Sequence, residues 1–163
     1  MKTIRTESLS AVRHTFLVFV LLWVFAGLAA CSQPLTVEQQ VITVIRDMEA
    51  SIEAGKRRDF MEHVSEDFTG QGAIDNRDQL NAMILYQFGR HKKIQAQFLP
   101  IRVTPTMTGE AEAFFRVLLT GGDGWLPDSG QMYSMVTRWR EDDGDWMLVS
   151  ARWKTVAMEA LLE

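Results

Sequence analysis

The stretch Trp139-Arg-Glu-Asp-Asp-Gly-Asp-Trp-Met-Leu-Val-Ser-Ala-Arg-Trp153 holds the sharpest local folding signal in this chain. Asp143-Gly144 lies between two segments that are rich in Trp, Val and Arg. An Asp-Gly pair between strands favours a two-residue type I′ turn, because both central residues of that turn need a positive φ. The sequence therefore predicts a β-hairpin that turns at these two residues.

The length of the turn predicts which residues face each other across this hairpin. A two-residue loop pairs Thr137 with Ser150 and Met135 with Arg152. Since side chains alternate between the two faces of a strand, one face carries Tyr133, Met135, Thr137, Trp139, Trp146, Leu148, Ser150 and Arg152. The parity holds for any loop of even length and fails where a strand contains a bulge.

Three helices are predicted ahead of the strands. Thr36-Val-Glu-Gln39 resembles a capping box, and the apolar residues that follow recur at spacings of three and four as far as Ile52. A second, short helix is predicted from about Arg58 to Ser65, and Asn76 is predicted to cap a third that ends near Gly89.

After the third helix the apolar residues no longer recur with the period of a helix, and the segments have the composition of strands. The predicted strands are Lys93–Thr106, Glu110–Thr120, Gln131–Arg140 and Trp146–Lys154. The sequence leaves open whether the first of them bends at Pro100 or is two strands, and a proline inside a strand favours the break. Helices followed by an antiparallel meander predict an α+β fold.

The helical segments around Ala50–Gly55, Asp59-Phe60 and Glu66–Phe68, together with the closing hairpin, are similar to the nuclear transport factor 2-like (SnoaL-like) superfamily. The resemblance implies a curved, mostly antiparallel sheet wrapped around three helices into a cone that is open at one end. Relatives use the cone as an enzyme pocket, a ligand site or only a core, and many dimerise through the sheet.

The N-terminus has the layout of a secretory signal. Lys2, Arg5 and Arg13 precede the almost wholly apolar stretch Phe16–Ala30, which ends in small residues just before Cys31. The apolar stretch is shorter than the roughly 20 residues that span a bilayer comfortably as a helix. The alternative is an uncleaved membrane anchor.

Leu28-Ala-Ala-Cys31 resembles the lipobox of bacterial lipoproteins. That resemblance implies cleavage before Cys31, lipidation of its thiol, and, with Ser32 next, export to the outer membrane facing the periplasm. The expected organisation is a signal peptide over 1–30, a lipidated tether over 31–35 and one NTF2-like domain over 36–163. Several acyl chains would make the membrane attachment stable.

The predicted inner face suggests a ligand site. Arg152, with Tyr133, Thr137 and Ser150, is placed to hold a carboxylate or another anion, because an arginine presents a fixed fork of donors. Trp139 is a candidate to line the ligand, although for Trp139 and Trp146 a core position is the commoner explanation. Many relatives place a polar residue, often His, at the position of Arg152, and arginine cannot act as a general base at neutral pH.

The candidates for acid–base chemistry are His63, Asp67, His91 and Asp75. His63 and Asp67 are four residues apart near a predicted helix end, which would bring them together as a dyad; a surface pair is the alternative. The two histidines lack the spacing of a metal motif, so no metal and no cofactor are expected.

Charge and cysteine content exclude further kinds of partner and cross-link. The net charge is −4, and removal of residues 1–30 takes away more cations than carboxylates, so a nucleic-acid partner is not expected. Cys31 is the only cysteine, which excludes an intramolecular disulfide.

Trp125 and Leu126 lie in a long loop, where they are predicted either to cover the cone mouth or to plug the domain.

Three functions stay open at this level. The first is a non-enzymatic envelope lipoprotein whose cone binds a small amphipathic or anionic ligand, or whose sheet mediates assembly, including a homodimer. The second is a small isomerase, dehydratase or hydrolase that uses His63 or Asp67 with Tyr133. The third is a structural subunit of an envelope complex with a filled cone.

Overall fold

The computed structural model describes residues 34–122 and 129–157, which belong to a compact unit running from Leu35 to Glu163. Within these ranges the elements, in chain order, are α1 (Val37–Glu53), α2 (Arg57–Glu62), β1 (Val64–Gln71), β2 (Ile74–Asn76), α3 (Arg77–Arg90), β3 (Lys93–Phe98), β4 (Arg102–Met107), β5 (Glu110–Gly122), β6 (Ser129–Asp142) and β7 (Asp145–Val156). No helix in the described ranges is long and apolar enough to cross a bilayer. The predicted signal peptide, Cys31, Trp125 and Leu126 lie outside the described residues.

The predicted capping box starts α1. The Thr36 side chain accepts a hydrogen bond from the backbone N–H of Gln39, and the Gln39 side chain accepts one from the backbone N–H of Thr36. These reciprocal bonds satisfy two donors that a helix start would leave free. The apolar stripe of α1 is buried at Val41, Ile45 and Met48, so this helix forms one wall of the core.

The other two helices differ in how well the sequence predicted them. The side chain of Asn76 accepts a hydrogen bond from the backbone N–H of Gln79 at 3.0 Å, which confirms it as the cap of α3. The second helix ends at Glu62, so the predicted extension to Ser65 is wrong. The residues from Val64 onward instead form β1, which pairs in parallel with β7.

The strands form one sheet in the order β2-β1-β7-β6-β5-β3, with β4 also paired to β5. All pairings are antiparallel except that of β1 with β7. The predicted break at Pro100 is present: β3 and β4 pair with successive parts of β5, and the backbone N–H of Leu99 donates to the carbonyl of Arg116 between them. The fold is therefore α+β, as predicted.

The central hairpin turns where the sequence predicted. Asp143 and Gly144 both have a positive φ, of 50° and 93°, and Trp139 pairs with Leu148 as expected. Asp143 is the one non-glycine residue with a positive φ in the described ranges. This conformation is the type I′ turn that Asp-Gly favours.

Beyond Leu148 the predicted register is wrong, because β7 contains a β-bulge. Trp139 pairs with Leu148 but Arg138 pairs with Ser150, so Val149 is an extra residue with no partner on β6. Thr137 therefore pairs with Ala151 where Ser150 was predicted, and Met135 pairs with Trp153 where Arg152 was predicted. Ser150 and Arg152 pair instead with Arg138 and Val136. A bulge of one residue moves every later side chain to the opposite face.

The helix α1 also covers a sheet edge. A carboxylate oxygen of Glu53 accepts a hydrogen bond from the backbone N–H of Ala96, and one of Glu49 accepts from that of Phe98, both at 3.2 Å. Alternate N–H groups of an edge strand point to the same side, and unpaired edges invite aggregation. These two carboxylates occupy the side of β3 that does not pair with β5.

Candidate functional site

A cavity of about 700 Å³ lies between the helices and the inner face of the sheet. Its volume falls within the range typical of small-molecule sites, roughly 300–1,000 Å³. The lining is mainly apolar and includes Ile45, Met48, Ile52, Phe60, Phe68, Leu80, Met83, Ile84, Phe88, Ile94, Phe98, Phe115, Val117, Leu119, Met135, Leu148, Ala151 and Trp153. The cone is therefore hollow rather than filled by its own side chains.

The closed end of the cavity has its polar groups paired internally. The indole N–H of Trp139 donates to the hydroxyl of Thr137 at 2.9 Å, and that hydroxyl donates to the carbonyl of Ala113 at 3.4 Å. Elsewhere in the core, the indole N–H of Trp146, which does not line the cavity, donates to the side-chain oxygen of Gln40 at 2.7 Å. Because these donors and acceptors are already satisfied, this end offers a ligand apolar contact and little hydrogen bonding.

Exposure increases along β6 towards the other end. Trp139 and Thr137 are buried, Tyr133 and Gln131 are half-buried, and Gly130 is exposed. The same gradient runs along β5, whose inner residue Leu119 is 37% exposed at that end. The cavity mouth therefore lies where β5 ends, where β6 begins, and where α3 passes into β3.

Polar side chains collect at this mouth. We define the mouth residues as Gln87, His91 and Gln131, all of which line the cavity. Gln131 donates through its side chain to the carbonyl of Met132 at 3.2 Å. The side chains of Gln87 and His91, and the phenol of Tyr133 deeper in the cavity, make no hydrogen bond to another described residue. They are the polar groups that a ligand can engage.

His91 is held at the mouth by a close approach to a glycine. A Cβ built on Gly121 would lie 3.0 Å from Nδ1 of His91 and 3.1 Å from its Cγ. Ile94 pairs with Gly121 across β3 and β5, which places His91 against the end of β5. The absence of a side chain on Gly121 makes room for the imidazole ring.

The structure separates the ligand residues that the sequence grouped together. Tyr133, Thr137 and Trp139 line the cavity, whereas Ser150 and Arg152 do not. The inward placement predicted for Ser150 and Arg152 is wrong, because the bulge at Val149 turns both to the outer face. There the Ser150 hydroxyl accepts a hydrogen bond from Nε of Arg138 at 3.0 Å, and Arg152 is exposed.

The predicted helical dyad is also wrong. His63 follows the last residue of α2, Asp67 lies in β1, and neither lines the cavity. The Asp67 carboxylate instead receives two hydrogen bonds from the guanidinium of Arg140, both at 3.0 Å, and one from the hydroxyl of Ser65. These bonds, that of Arg140 first, lower the pKa of Asp67 to about 2. Its proton is therefore lost well below neutral pH.

Of the acid–base candidates in the sequence, only His91 lines the cavity. Sequence reasoning missed Gln131 as a site residue, although alternation along the predicted strands places it on the same face as Tyr133. Within residues 34–122 and 129–157, no group of three or more His, Cys, Asp and Glu side chains is placed to hold a metal ion.

Comparison with solved structures finds the same fold in many proteins. An uncharacterised protein with a cystatin-like fold from Caulobacter vibrioides aligns with a TM-score of 0.63 at 13% identity, over 76% of this chain and 92% of that one. A protein from Streptomyces avermitilis, named as a candidate dehydratase of the NTF2-like family, gives 0.64 at 15% identity, over 74% and 96%. An NTF2-like protein from Novosphingobium aromaticivorans gives 0.62 at 16% identity, over 76% and 87%.

The chain thus has the NTF2-like, cystatin-like fold that its sequence resemblance implied. At these identities the likeness concerns the fold alone, since folds of this kind carry many functions. No protein-family model and no curated protein sequence matches the chain.

Proposed function

We propose that this protein is a lipid-anchored binding protein of the bacterial envelope whose cavity takes up a small, mainly apolar molecule with an uncharged polar end. The observation that carries the proposal is the hollow cavity of about 700 Å³ whose closed end is apolar and internally hydrogen-bonded. A ligand would enter with its apolar part first and leave its polar end among the mouth residues.

The charge of the lining favours an uncharged ligand over the anionic one suggested by the sequence. No Lys, Arg, Asp or Glu lines the cavity among the described residues, and Arg152 faces away from it. Transfer of an ionised group into an apolar site is costly unless a counter-charge is present. A carboxylate or phosphate deep in this cavity would find no such partner.

The binding proposal is tested with the chain from Ser32 onward, purified and examined by native mass spectrometry for a retained molecule. Titration with a neutral fluorophore that brightens in apolar surroundings, such as N-phenyl-1-naphthylamine, measures binding directly. Ala96 lines the cavity and its neighbour Gln97 is exposed on the same strand. Ala96→Phe is expected to reduce probe affinity at least tenfold while Gln97→Phe leaves it unchanged; equal affinity in both variants would count against the cavity as the site.

The lipid anchor is tested separately. Growth with labelled palmitate should mark the full chain, and Cys31→Ser should abolish the label and release the protein from membranes. A Cys31→Ser variant that still incorporates label would contradict the lipoprotein proposal and leave the cavity proposal intact.

A second candidate is an enzyme of the dehydratase or isomerase type, because His91 and Tyr133 line one cavity. Histidine is the side chain best matched to proton transfer near neutral pH. Val117, the partner of Tyr133, and Gly121, beside His91, are four residues apart on β5, or about 13 Å along an extended strand. The two groups would therefore act on different ends of a substrate rather than on each other.

The enzyme candidate predicts exchange of a ligand proton with solvent. Any molecule recovered from the cavity is returned to the protein in D₂O and its mass followed. Deuterium incorporation that disappears in His91→Gln supports catalysis, and an unchanged mass with the native protein would exclude proton abstraction from that molecule.

A further inference from the structure

We propose that the outer face of the sheet is a docking surface for an anionic lipid bilayer. The inference rests on the proposed function, since it adds a contact by the folded domain to the proposed lipid anchor. We define the cationic patch as the five exposed basic residues of this face, Arg102, Arg116, Arg138, Arg152 and Lys154.

Strand register brings these residues together. Arg102 of β4 pairs with Phe114 of β5, Phe114 with Val136 of β6, and Val136 with Arg152 of β7, so the four side chains form one row across the sheet. Neighbouring strands lie about 4.8 Å apart, so this row spans roughly 14 Å.

The next row adds two more cations. Arg116 pairs with Ser134, and Ser134 with Lys154. In the row on the other side, Arg138 pairs with Glu112, the nearest acidic residue in the register. Cations thus lie on both sides of a small apolar centre made by Phe114, which is 39% exposed, and the half-buried Val136.

None of the five cations of the patch forms a salt bridge to a described residue, whereas Arg46, Lys56, Arg77 and Arg140 each do. Glu112, opposite Arg138, is the acidic neighbour of the patch in the strand register. The whole chain carries a net charge of −4, so the cationic patch stands out against an otherwise acidic protein. A concentration of unpaired positive charge on one face attracts an anionic partner.

The same charges argue against a symmetric dimer through this face. A two-fold interface brings the same patch of both copies together, so it would bring the five cations of one copy close to the five of the other. An anionic bilayer presents many negative headgroups to a broad surface, and the proposed lipid anchor at Cys31 would hold the domain close to such a surface. Exposed Phe114 at the centre is suited to the boundary between headgroups and acyl chains.

The test uses the chain from Ser32, which lacks the acylation site and keeps the core, because the buried hydrophobic residues lie between Val41 and Ala151. Binding to phosphatidylcholine vesicles with and without phosphatidylglycerol is measured by sedimentation at low and raised salt. We expect binding only with phosphatidylglycerol, weakening as salt rises.

The double variant Arg116→Gln/Arg152→Gln should bind about 25-fold more weakly, since each cation near an anionic surface contributes about fivefold. The matched control Arg58→Gln/Arg90→Gln removes two exposed cations of α2 and α3 and should bind like the native chain. Thermal melting of both variants verifies that they are folded.

Three results would overturn the proposal: no binding to anionic vesicles, an equal loss in both double variants, or a dimer of the native chain that only the patch variant dissolves. The last would assign the face to a second copy of the chain. None of these results affects the palmitate or cavity tests, because neither uses this face.

Discussion

Trp139 donates its indole N–H to the hydroxyl of Thr137, two residues earlier on the same strand and on the same inner face of the sheet, over 2.9 Å. Both residues are almost fully buried, at 2% and 3% exposure. The pair places the largest side chain of the core at the closed end of the cavity with its one polar group satisfied. The hydroxyl is therefore a structural acceptor, although the sequence suggested it as a ligand contact.

Thr137→Val should destabilise the domain and leave ligand affinity almost unchanged. The substitution removes the acceptor and leaves the Trp139 N–H buried without a partner, which costs about 1–3 kcal/mol of the free energy of unfolding. Urea denaturation followed by tryptophan fluorescence measures it. Thr120→Val is the matched control, because the Thr120 side chain lies on the outer face beside Leu118: we expect little change in stability or in ligand affinity, and an equal loss of stability in both variants would contradict the role of the Thr137 hydroxyl.

Gly121→Ala should disturb the mouth by displacing His91. The new Cβ would lie 3.0 Å from Nδ1 of the imidazole, which is tighter than an ordinary van der Waals contact, so the ring has to shift by a few tenths of an ångström. We expect at least a threefold loss of probe affinity and a shift of the His91 ring signals in NMR spectra.

The displacement of the His91 ring is checked in a variant that lacks this ring. In His91→Ala, Gly121→Ala should have no further effect, because the clashing ring is gone. Gly89→Ala, in a helical position with open space around its Cβ, should be neutral or stabilising by up to about 1 kcal/mol. A native-like mouth in Gly121→Ala alone would contradict the prediction.

Glu53→Ala should expose the edge of β3. Its carboxylate accepts from the backbone N–H of Ala96, and loss of that bond is expected to cost about 1 kcal/mol. Hydrogen exchange should accelerate at the amide of Ala96 while the amide of Phe98, bonded to Glu49, stays protected. Glu62→Ala, on another helix, is the control, and equal exchange at Ala96 in both variants would refute the role.

Protonation of Asp67 should make the domain less stable in strong acid. Its pKa is lowered to about 2, chiefly by Arg140, against an unfolded value near 3.9. A lowered folded pKa adds stability above the unfolded pKa, and this contribution is lost as the pH falls from about 4 through about 2.

The measurement is the melting temperature of the native chain and of Asp67→Asn at neutral pH and near pH 2. The variant should melt lower at neutral pH, modestly because both partners are largely exposed to solvent, and the difference should shrink in acid. Asp145→Asn at the hairpin tip gives the same change of charge. A difference in melting temperature that persists near pH 2 would show that the ion pair between Asp67 and Arg140 is not its cause.

Local signals in the sequence predicted the local structure well. The Thr36 capping box, the Asn76 cap, the break at Pro100 and the Asp143-Gly144 turn are all confirmed. Each depends on a few adjacent residues and on backbone preferences that act over one turn, so a single chain suffices to reveal them.

The site was harder to predict, because its composition depends on the bulge at Val149. Where β7 gains that residue, its pairing with β1 also changes register, between Val64–Leu148 and Thr69–Ser150. The bulge therefore belongs to the packing of three strands and has no local signature in the Met147–Ala151 segment. Helix α2 ends early for the same reason: β1 gains a sheet partner that its own residues do not announce.

The bulge also means that β7 can lose one residue without a change of face. If Val149 were deleted, Leu148 would still pair with Trp139, and Ser150 would follow it opposite Arg138, as it does now. The pairs beyond it would be unchanged, so Trp153 would stay in the cavity and Arg152 outside it. In a regular hairpin the deletion of one residue turns every later side chain to the other face, whereas here the lining of the cavity tolerates that deletion.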